Sequence, residues 1–349
     1  MKRIGIITSF LLLITFTQNI HAQLRIVCIG NSISQGKNEK KADSTFEYSY
    51  RPWLWEKLTL DGFNVDMVGY NPFFFLETEG NLTIKFKSKT GKPFDRDCEA
   101  YYGITSDVFL TGTQSTIWTG EPLPRFRERI NDPIKGYTPD VALIHIGTND
   151  ADSTEALVAD SRKNIISIIS ILREKNPNVQ IFLATLITGW KKINGKIEMI
   201  CKELSNPTSP VIPVDMTTGF INSIKLKGTM TFDHVHPNIN GQLFMMERWH
   251  AALLTHLKDR QKPVLNGKAS VSKSGRTSIE LQWHPADDNY GIKQYEIRSN
   301  KELIKTLSHQ TTSYKINTLK PRSFYNLQLV ARDFSGNVSS PISIRVNTK

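Results

Sequence analysis

Cysteine is scarce in this sequence, with three residues among 349. A disulfide-stapled scaffold is therefore excluded, since such scaffolds are short and rich in cysteine. The number is odd, so at least one thiol among Cys28, Cys98 and Cys201 stays free or pairs outside the chain. Cys28 lies in an apolar run, where we interpret it as a small buried residue.

Long apolar runs are also missing after the N-terminus, where no stretch reaches the roughly 18 residues needed to cross a bilayer. The first residues differ: Lys2 and Arg3 precede an apolar segment at residues 4–16, and a short polar stretch leads to Ala22. This pattern predicts a secretory signal peptide over residues 1–22, with an uncleaved anchor as the alternative. We expect a mature protein without a membrane span, working in the periplasm, at the cell surface or in the medium.

Acidic residues are outnumbered, 33 against 44 lysines and arginines, and the formal net charge is +11. Such a balance raises the question of nucleic acid. However, residues 23–262 carry 29 basic and 27 acidic side chains, whereas residues 263–349 carry 13 and 6. The excess lies in the last quarter of the chain, so we expect no nucleic-acid partner. That part is predicted to meet an acidic polysaccharide or the cell envelope, with a merely solubilising surface as the simpler alternative.

What the sequence does contain is two regions of different hydrophobic periodicity. In the first, strands are predicted at residues 24–29, 65–68, 141–146, 179–184 and 211–214, and helices at residues 51–60, 155–175 and 240–257. Strands that alternate with helices predict an α/β fold, with a mostly parallel five-stranded sheet and helices on both faces. Such sheets place their chemistry at the carboxyl ends of the strands.

After Pro263 the helical pattern ends. Short alternating strands are predicted at residues 278–283, 294–299, 313–316, 325–331 and 342–346. About 85 residues of this pattern predict an all-β sandwich. We therefore divide the chain into the signal peptide at residues 1–22, an α/β domain at residues 23–260 and a β-sandwich at residues 261–349.

Three polar segments adjoin the predicted elements of the α/β domain. Ser32 follows the first strand in a Gly-Asn-Ser turn, and Asn149 follows the third strand. Asp233 precedes His236 by three residues, just before the last helix. Each segment alone is ambiguous, because Gly-Asn-Ser is common turn chemistry and Asn149 could close an Asx turn. Together they supply a nucleophile, a base and a carboxylate that orients the base, which acyl transfer requires.

These segments, in this order, resemble the SGNH (GDSL-like) hydrolase family, and the resemblance covers most of residues 24–258. It implies a flavodoxin-like three-layer α/β/α fold and a serine hydrolase that needs no metal and no organic cofactor. Ser32 matches the nucleophile of the family, with Asn31 in place of the more usual Asp, and Asp233 and His236 match its last motif.

The resemblance further implies an oxyanion hole formed by the Ser32 and Gly103 backbone N–H groups and the Asn149 amide. The segment at residues 98–103 matches the glycine motif of the family imperfectly, so Gly69 stays open as the rival glycine. One donor of this kind is typically worth about 3–4 kcal/mol of the activation barrier.

Two alternatives concern the histidines of the last motif. His234 could be the base instead, although the Asp-x-x-His spacing favours His236. A metal site formed by Asp150, Asp152, His234 and His236 is also conceivable, since hard or borderline cations accept such ligands. We prefer the hydrolase interpretation because it already accounts for the histidine and its neighbouring carboxylate.

The long connection between residues 70 and 120 is rich in aromatic residues. They are Tyr70, Phe73, Phe74, Phe75, Tyr101, Tyr102 and Trp118. Because inserts at strand ends form the rim of the active site, we expect Tyr102, Trp118 and, after the fourth strand, Trp190 to contact substrate. A small satellite core is the alternative. Alternating residues at 82–86 predict a hairpin within this insert.

Two further resemblances narrow the function. Residues 51–69 are similar to the acetylxylan-esterase-type branch of the family, and Trp283, Tyr325 and residues 331–337 resemble a fibronectin type III module. Together with the predicted signal peptide and the serine, histidine and aspartate motifs, they favour a secreted esterase that removes O-acetyl groups from a polysaccharide or oligosaccharide. The alternatives are a lipase, lysophospholipase or thioesterase of the same superfamily, and a glycan-binding protein without turnover.

Overall fold

A computed structural model of the chain describes residues 23–36, 49–71, 88–112, 122–189 and 191–349. The predicted signal peptide at residues 1–22 and the predicted hairpin at residues 82–86 lie outside this part of the chain.

The first region is built on parallel strands. They are β1 (Leu24–Gly30), β2 (Val65–Val68), β3 (Glu99–Ala100), β4 (Val141–His145), β5 (Gln180–Ala184) and β6 (Val211–Val214). Their order is β2-β1-β4-β5-β6, and β3 pairs with β1 beyond the end of β2. The predicted five-stranded parallel sheet is therefore confirmed, with the two-residue β3 as an addition.

Helices cover both faces of this sheet. They are α1 (Ser32–Gln35), α2 (Tyr50–Asp61), α3 (Ser106–Thr111), α4 (Phe126–Ile130), α5 (Glu155–Lys175), a 3-10 turn (Lys192–Lys196), α6 (Ile197–Leu204) and α7 (Ile239–His256). Apolar residues of α3 to α6 form one core with the sheet, and those of α2 and α7 form a second core on the opposite face. The result is the predicted three-layer α/β/α arrangement. Within the described residues, none of the helices is both long and apolar enough to span a bilayer.

The strand order reverses between β1 and β4, which run side by side. In doubly wound sheets this reversal opens a crevice at the carboxyl ends of the two strands. Gly30 ends β1 opposite His145, and a Cβ on Gly30 would lie 2.7 Å from the His145 carbonyl oxygen and 2.3 Å from the Ser34 Oγ. Only glycine fits at this position, because any side chain would collide with these atoms. Gly30 therefore allows the residues after β1 to pass close to β4 at the crevice.

The second region is an antiparallel sandwich of seven strands. They are β7 (Ser270–Ser274), β8 (Ile279–Gln282), β9 (Ile292–Ser299), β10 (Glu302–Ser308), β11 (Ser313–Ile316), β12 (Phe324–Asp333) and β13 (Ile342–Asn347). They form the sheets β10-β9-β12-β13 and β11-β8-β7. Trp283 packs edge-on against Tyr295 in the core, and the Tyr325 hydroxyl accepts a 2.7 Å hydrogen bond from the Lys320 N–H. The predicted β-sandwich is confirmed, with β7 and β10 in addition to the five predicted strands.

Candidate active site

Ser32 is the first residue of the short helix α1, directly above the carboxyl end of β1. Asn31 caps this helix, because its Oδ1 accepts a 3.0 Å hydrogen bond from the Ile33 N–H. The helix ends after one turn at Gly36, whose φ of 103° is a conformation that glycine adopts readily and other residues rarely do. The N–H of a first helical residue has no partner within its helix, so the Ser32 amide is available to a ligand.

His236 reaches the same place from a tight turn before α7. The Asp233 Oδ1 accepts hydrogen bonds from the Val235 N–H at 3.1 Å and the His236 N–H at 2.7 Å. His234, in the middle of the turn, has a φ of 69°, a left-handed conformation that is uncommon for a side-chain-bearing residue. The turn leaves the Asp233 Oδ2 facing the His236 ring.

Three side chains form one continuous hydrogen-bond chain in the crevice. The Ser32 Oγ lies 2.8 Å from the His236 Nε2, and the His236 Nδ1 lies 2.6 Å from the Asp233 Oδ2. A carboxylate can only accept here, so Nδ1 carries the ring proton and Nε2 is free to accept from the serine. Ser32 is 5% exposed, and the side chains of His236 and Asp233 are 12% and 29% exposed. His234 is exposed, so it is His236 that the turn delivers to the serine.

Two aromatic rings lie close to the His236 ring and nearly parallel to it. Tyr102 has its ring centroid 6.3 Å away, and Phe232 has its centroid 5.7 Å away with an interplanar angle of 15°. Tyr102, a predicted substrate contact, therefore stands at the edge of the site. Trp118 and Trp190, the other two predicted contacts, lie outside the described residues.

The segment around Gly103 lies between Ser32 and Asn149. The Tyr101 N–H donates to the Gly30 carbonyl oxygen at 3.2 Å, and the Asn149 Nδ2 donates to the Ile104 carbonyl oxygen at 2.9 Å. Gly103 itself has a φ of 72°. Because an amide NH₂ has two hydrogens, Asn149 can donate a second hydrogen bond.

Gly69, the rival glycine, has a different setting. A Cβ on Gly69 would lie 2.2 Å from the Cys98 backbone, so the residue is a close-packing position at the end of β2. It lines a separate cleft of about 410 Å³ that also contains Asp66, Tyr70 and Lys135. Gly69 thus lines a cleft that does not contain Ser32, whereas Gly103 lies in the segment that is hydrogen-bonded to Gly30 and Asn149.

The carboxylates of Asp150 and Asp152, two ligands of the alternative metal site, accept hydrogen bonds from other residues. Asp150 accepts hydrogen bonds from the Ser106 N–H at 2.7 Å and the Ser106 Oγ at 2.5 Å, and Asp152 accepts from the Lys192 N–H at 3.1 Å. In the ranges that the structure describes, Asp150 and His236 are not gathered into a group able to share a metal ion.

Two buried residues, Arg51 and Gln35, hold the backbone around the site in place. Neither was assigned to the site from the sequence. Arg51 has no exposed surface, and its guanidinium donates to the carbonyl oxygens of Ser34 at 2.7 Å, Gln35 at 3.2 Å and Arg96 at 2.7 Å. The Gln35 Oε1 accepts a 2.6 Å hydrogen bond from the Tyr102 N–H. In the sequence, Arg51 could have been noticed because it is a charged residue at the start of the helix predicted at residues 51–60. No sequence feature pointed to Gln35.

A buried ion pair holds the segment that leads to Gly103. Glu99 in β3 and Arg129 in α4 have no exposed side-chain surface, and the Arg129 Nε lies 2.9 Å from the Glu99 Oε2. Tyr101 donates its hydroxyl to the same carboxylate at 3.2 Å. Burial opposes the charge of the guanidinium, but Glu99 and its neighbours raise the pKa of Arg129 above its ordinary value. The guanidinium therefore stays charged, and its bond to Glu99 anchors the chain just before Gly103.

Comparison with known families agrees with this architecture. The sequence profile described as "GDSL-like Lipase/Acylhydrolase" matches residues 26–249, and the profile described as "Fibronectin type III domain" matches residues 263–345.

Relatives of known description match the chain over different lengths. A "Multidomain esterase" from Ruminococcus flavefaciens is 28% identical over 287 residues, which is 78% of this chain and 34% of that protein. "Chitinase Chi52" from Paenibacillus xylanexedens is 29% identical over 86 residues, 25% of this chain and 16% of that protein. The chain thus spans about a third of the esterase and less of the chitinase. Among solved structures, a carbohydrate esterase family 3 protein from Talaromyces cellulolyticus is 21% identical, covering 67% of this chain and 97% of its own, with a TM-score of 0.46.

Proposed function

The chain belongs to the GDSL-like lipase/acylhydrolase family and carries a C-terminal fibronectin type III domain, and from this premise we propose that it is an exported serine esterase that removes O-acetyl groups from a polysaccharide or oligosaccharide. Ester hydrolysis is the chemistry of its family. The observation that carries the proposed serine mechanism is the hydrogen-bond chain from Ser32 through His236 to Asp233.

In the first half of the proposed reaction, the Ser32 Oγ attacks the ester carbonyl carbon. Its proton passes to the His236 Nε2, 2.8 Å away. Asp233 stabilises the imidazolium that forms and holds the ring in the tautomer that accepts at Nε2. His236 then returns the proton to the departing sugar hydroxyl as the carbon–oxygen bond breaks, and the acyl group stays on the serine.

The negative charge on the carbonyl oxygen needs donors during both halves. We assign this role to the Ser32 and Gly103 N–H groups and the second hydrogen of the Asn149 amide. The support is that Ser32 begins a helix and that Asn149 is bonded to Ile104, one residue after Gly103. In the second half, His236 takes a proton from the water that attacks the acyl carbon. It then returns the proton to the Ser32 Oγ as the acyl–serine bond breaks, which releases the free acid.

Three observations support an acetylated glycan as substrate. Tyr102 presents a ring beside His236, and aromatic rings are suited to stacking on sugars. The relatives include a protein described as a multidomain esterase and one described as a chitinase. In addition, residues 51–69 are similar to the acetylxylan-esterase-type branch.

Export and the role of the second domain complete the proposal. Residues 1–22 are proposed to be a signal peptide, followed by the hydrolase domain at residues 23–260 and the fibronectin type III domain at residues 261–349. With 13 basic and 6 acidic residues after residue 262, the second domain is proposed to contact an acidic polysaccharide or the cell envelope. Retention of the full chain on immobilised acidic polysaccharide at low salt, lost at high salt, is the expected result; retention independent of salt would contradict it.

A chain-length series of p-nitrophenyl esters tests the proposed esterase chemistry. We expect the acetate ester to be hydrolysed fastest, Ser32→Ala to abolish turnover, and Ser34→Ala to remain active within about tenfold. Ser34 is the matched control because it lies in the same buried helix and its hydroxyl pairs with Tyr50. Activity that rises with acyl length would favour the lipase alternative, and Ser32→Ala with full activity would exclude the proposed nucleophile.

A further inference from the structure

Three aspartates from separate parts of the sequence converge where the two domains meet. Asp259 follows α7, Asp288 lies in the loop before β9, and Asp333 ends β12. One carboxylate oxygen of each lies within 4.8 Å of the others. The three are far apart in the sequence, so no spacing motif reveals them.

Oxygen atoms at this cluster are buried without any hydrogen-bond partner. The Oδ2 atoms of Asp259 and Asp288 and the Oδ1 atom of Asn289 have essentially no exposed surface and no donor within the described residues. Asp333 is 1% exposed, and within the described part of the chain its two oxygens accept hydrogen bonds from Asn337 alone. Leaving buried acceptors unpaired is costly, so these oxygens point to a missing partner.

The chain orients the cluster through the other carboxylate oxygens. The Asp288 Oδ1 accepts from the Tyr290 and Gly291 N–H groups, both at 2.9 Å, and the Asp259 Oδ1 accepts from the Gln261 N–H at 2.8 Å. In Asp259 and in Asp288, hydrogen bonds to Oδ1 therefore fix the carboxylate, and Oδ2 is left without a partner within the described residues.

The negative charge of the cluster is not neutralised by side chains. In the described ranges, no Lys or Arg forms an ion pair with Asp259, Asp288 or Asp333. The cluster needs a positive charge, and the surrounding protein does not provide one.

We propose that Asp259, Asp288 and Asp333 bind a calcium ion at the junction of the two domains, each through one carboxylate oxygen. Calcium takes oxygen ligands at about 2.3–2.6 Å, so two ligands on opposite sides of the ion are roughly 5 Å apart. The mutual distances in the cluster fall within that limit. The donors are oxygens alone, which disfavours zinc, and the loop setting suits calcium better than the strict octahedron of magnesium.

The position of the ion would tie the domains together. Next to the cluster, the Phe334 ring stacks on the Phe63 ring of the hydrolase domain, with centroids 3.6 Å apart. The Asn64 N–H donates to the Tyr290 carbonyl oxygen at 3.1 Å. Since Asp288 and Asp333 adjoin Tyr290 and Phe334, an ion bound to both and to Asp259 would fix these contacts.

Calcium titration of the full chain tests the proposal. The protein is stripped with a chelator, dialysed, and titrated with calcium chloride by isothermal calorimetry, with thermal unfolding measured at each calcium concentration. Asp288→Asn is the test variant because it keeps the Oδ1 acceptor that the Tyr290 and Gly291 N–H groups need. Glu302→Gln, an exposed acid in β10, is the matched control, and hydrolysis of p-nitrophenyl acetate checks that each variant is folded.

We expect one calcium per chain, an unfolding temperature that rises with calcium, and affinity weakened roughly tenfold or more in Asp288→Asn but unchanged in Glu302→Gln. Without calcium, Asp288→Asn should unfold at the same or a higher temperature than the stripped parent, because it removes one repelling charge. If Asp288→Asn does not fold, Asp259→Asn takes its place. No saturable binding at millimolar calcium, or unchanged binding in the folded variant, would overturn the proposal.

Discussion

At the residue scale, the Asp233 carboxylate does two jobs with its two oxygens. Oδ1 holds the turn by accepting from Val235 and His236 N–H groups, and Oδ2 accepts from the His236 ring. Asp233→Asn can keep the turn, but its NH₂ group would face Nδ1 and force the wrong ring tautomer. We expect kcat on p-nitrophenyl acetate to fall by about ten-thousand-fold, with little change in the free energy of unfolding.

The neighbouring histidine is the control for that prediction. His234 is exposed and contributes its left-handed backbone, not its ring, to the turn. His234→Asn keeps a residue that tolerates this conformation and should retain activity within a few-fold. If His234→Asn were inactive and His236→Ala active, His234 would be the base, and the assignment of His236 would be contradicted.

His145, at the end of β4, makes stability depend on pH. Burial lowers the pKa of its ring from 6.5 to about 4, and its Nε2 accepts from the Ile187 N–H at 3.3 Å. The unfolded chain therefore takes up the proton first as the pH falls. The stability contributed by the neutral ring is fully present above pH 6.5 and is lost towards pH 4, amounting to about 3 kcal/mol.

Denaturant unfolding between pH 7 and pH 4 measures this effect. The wild type should lose stability relative to His145→Gln across that range, because glutamine can accept from Ile187 but does not titrate. The comparison cancels other groups, such as Asp66, whose pKa burial raises to about 6 and which acts in the opposite direction. Parallel curves for the two proteins would contradict the assignment.

At the scale of elements, Arg51 in α2 holds α1, the helix that begins with the proposed nucleophile Ser32. Its guanidinium reaches three carbonyl oxygens, two of them in α1, and lysine cannot reproduce that fork. We expect Arg51→Lys to lower the free energy of unfolding by about 2–4 kcal/mol and to reduce kcat more than it raises KM. Arg25→Lys, at a half-exposed ion pair with Asp140, should cost less than about 1 kcal/mol and leave kcat unchanged.

The elements that sequence reasoning found are those with a long or clean periodicity. The helix predicted at residues 155–175 is α5 to the residue, and the strand predicted at residues 65–68 is β2. The two residues of β3 and the five of α4 are too short to show a period, and their positions depend on the buried Glu99–Arg129 pair. Strand β10 was missed because most of its residues are exposed, so it lacks an apolar alternation.

The site divides in the same way. The proximity of Ser32, His236 and Asp233 could be predicted because each residue stands in a short motif next to a strand or helix with a clear periodicity. Gly103 was ambiguous in sequence because its motif is degraded, and only the hydrogen bonds around it separate it from Gly69. The calcium ligands could not be predicted, since their proximity is created by the docking of two domains.

At the scale of the whole molecule, the junction between domains rests on an aromatic stack. Phe63 is 4% exposed, and its ring lies 3.6 Å from that of Phe334 at an interplanar angle of 14°. Phe334→Ala should lower the free energy of unfolding by about 2–4 kcal/mol and separate the unfolding of the two domains in calorimetry. Phe324→Ala is the control because Phe324 is 63% exposed, and it should be nearly neutral. A single unchanged transition in Phe334→Ala would show that the stack does not couple the domains.

Acetate release from a panel of acetylated polysaccharides measures whether the serine site hydrolyses a glycan ester. The full-length protein should release acetate from at least one acetylated glycan and none from the same glycan after chemical deacetylation. Ser32→Ala, shown to be folded by its unfolding curve, should release none. Acetate release that persists in Ser32→Ala, or no release from any glycan by a wild type that hydrolyses long-chain esters, would contradict the account.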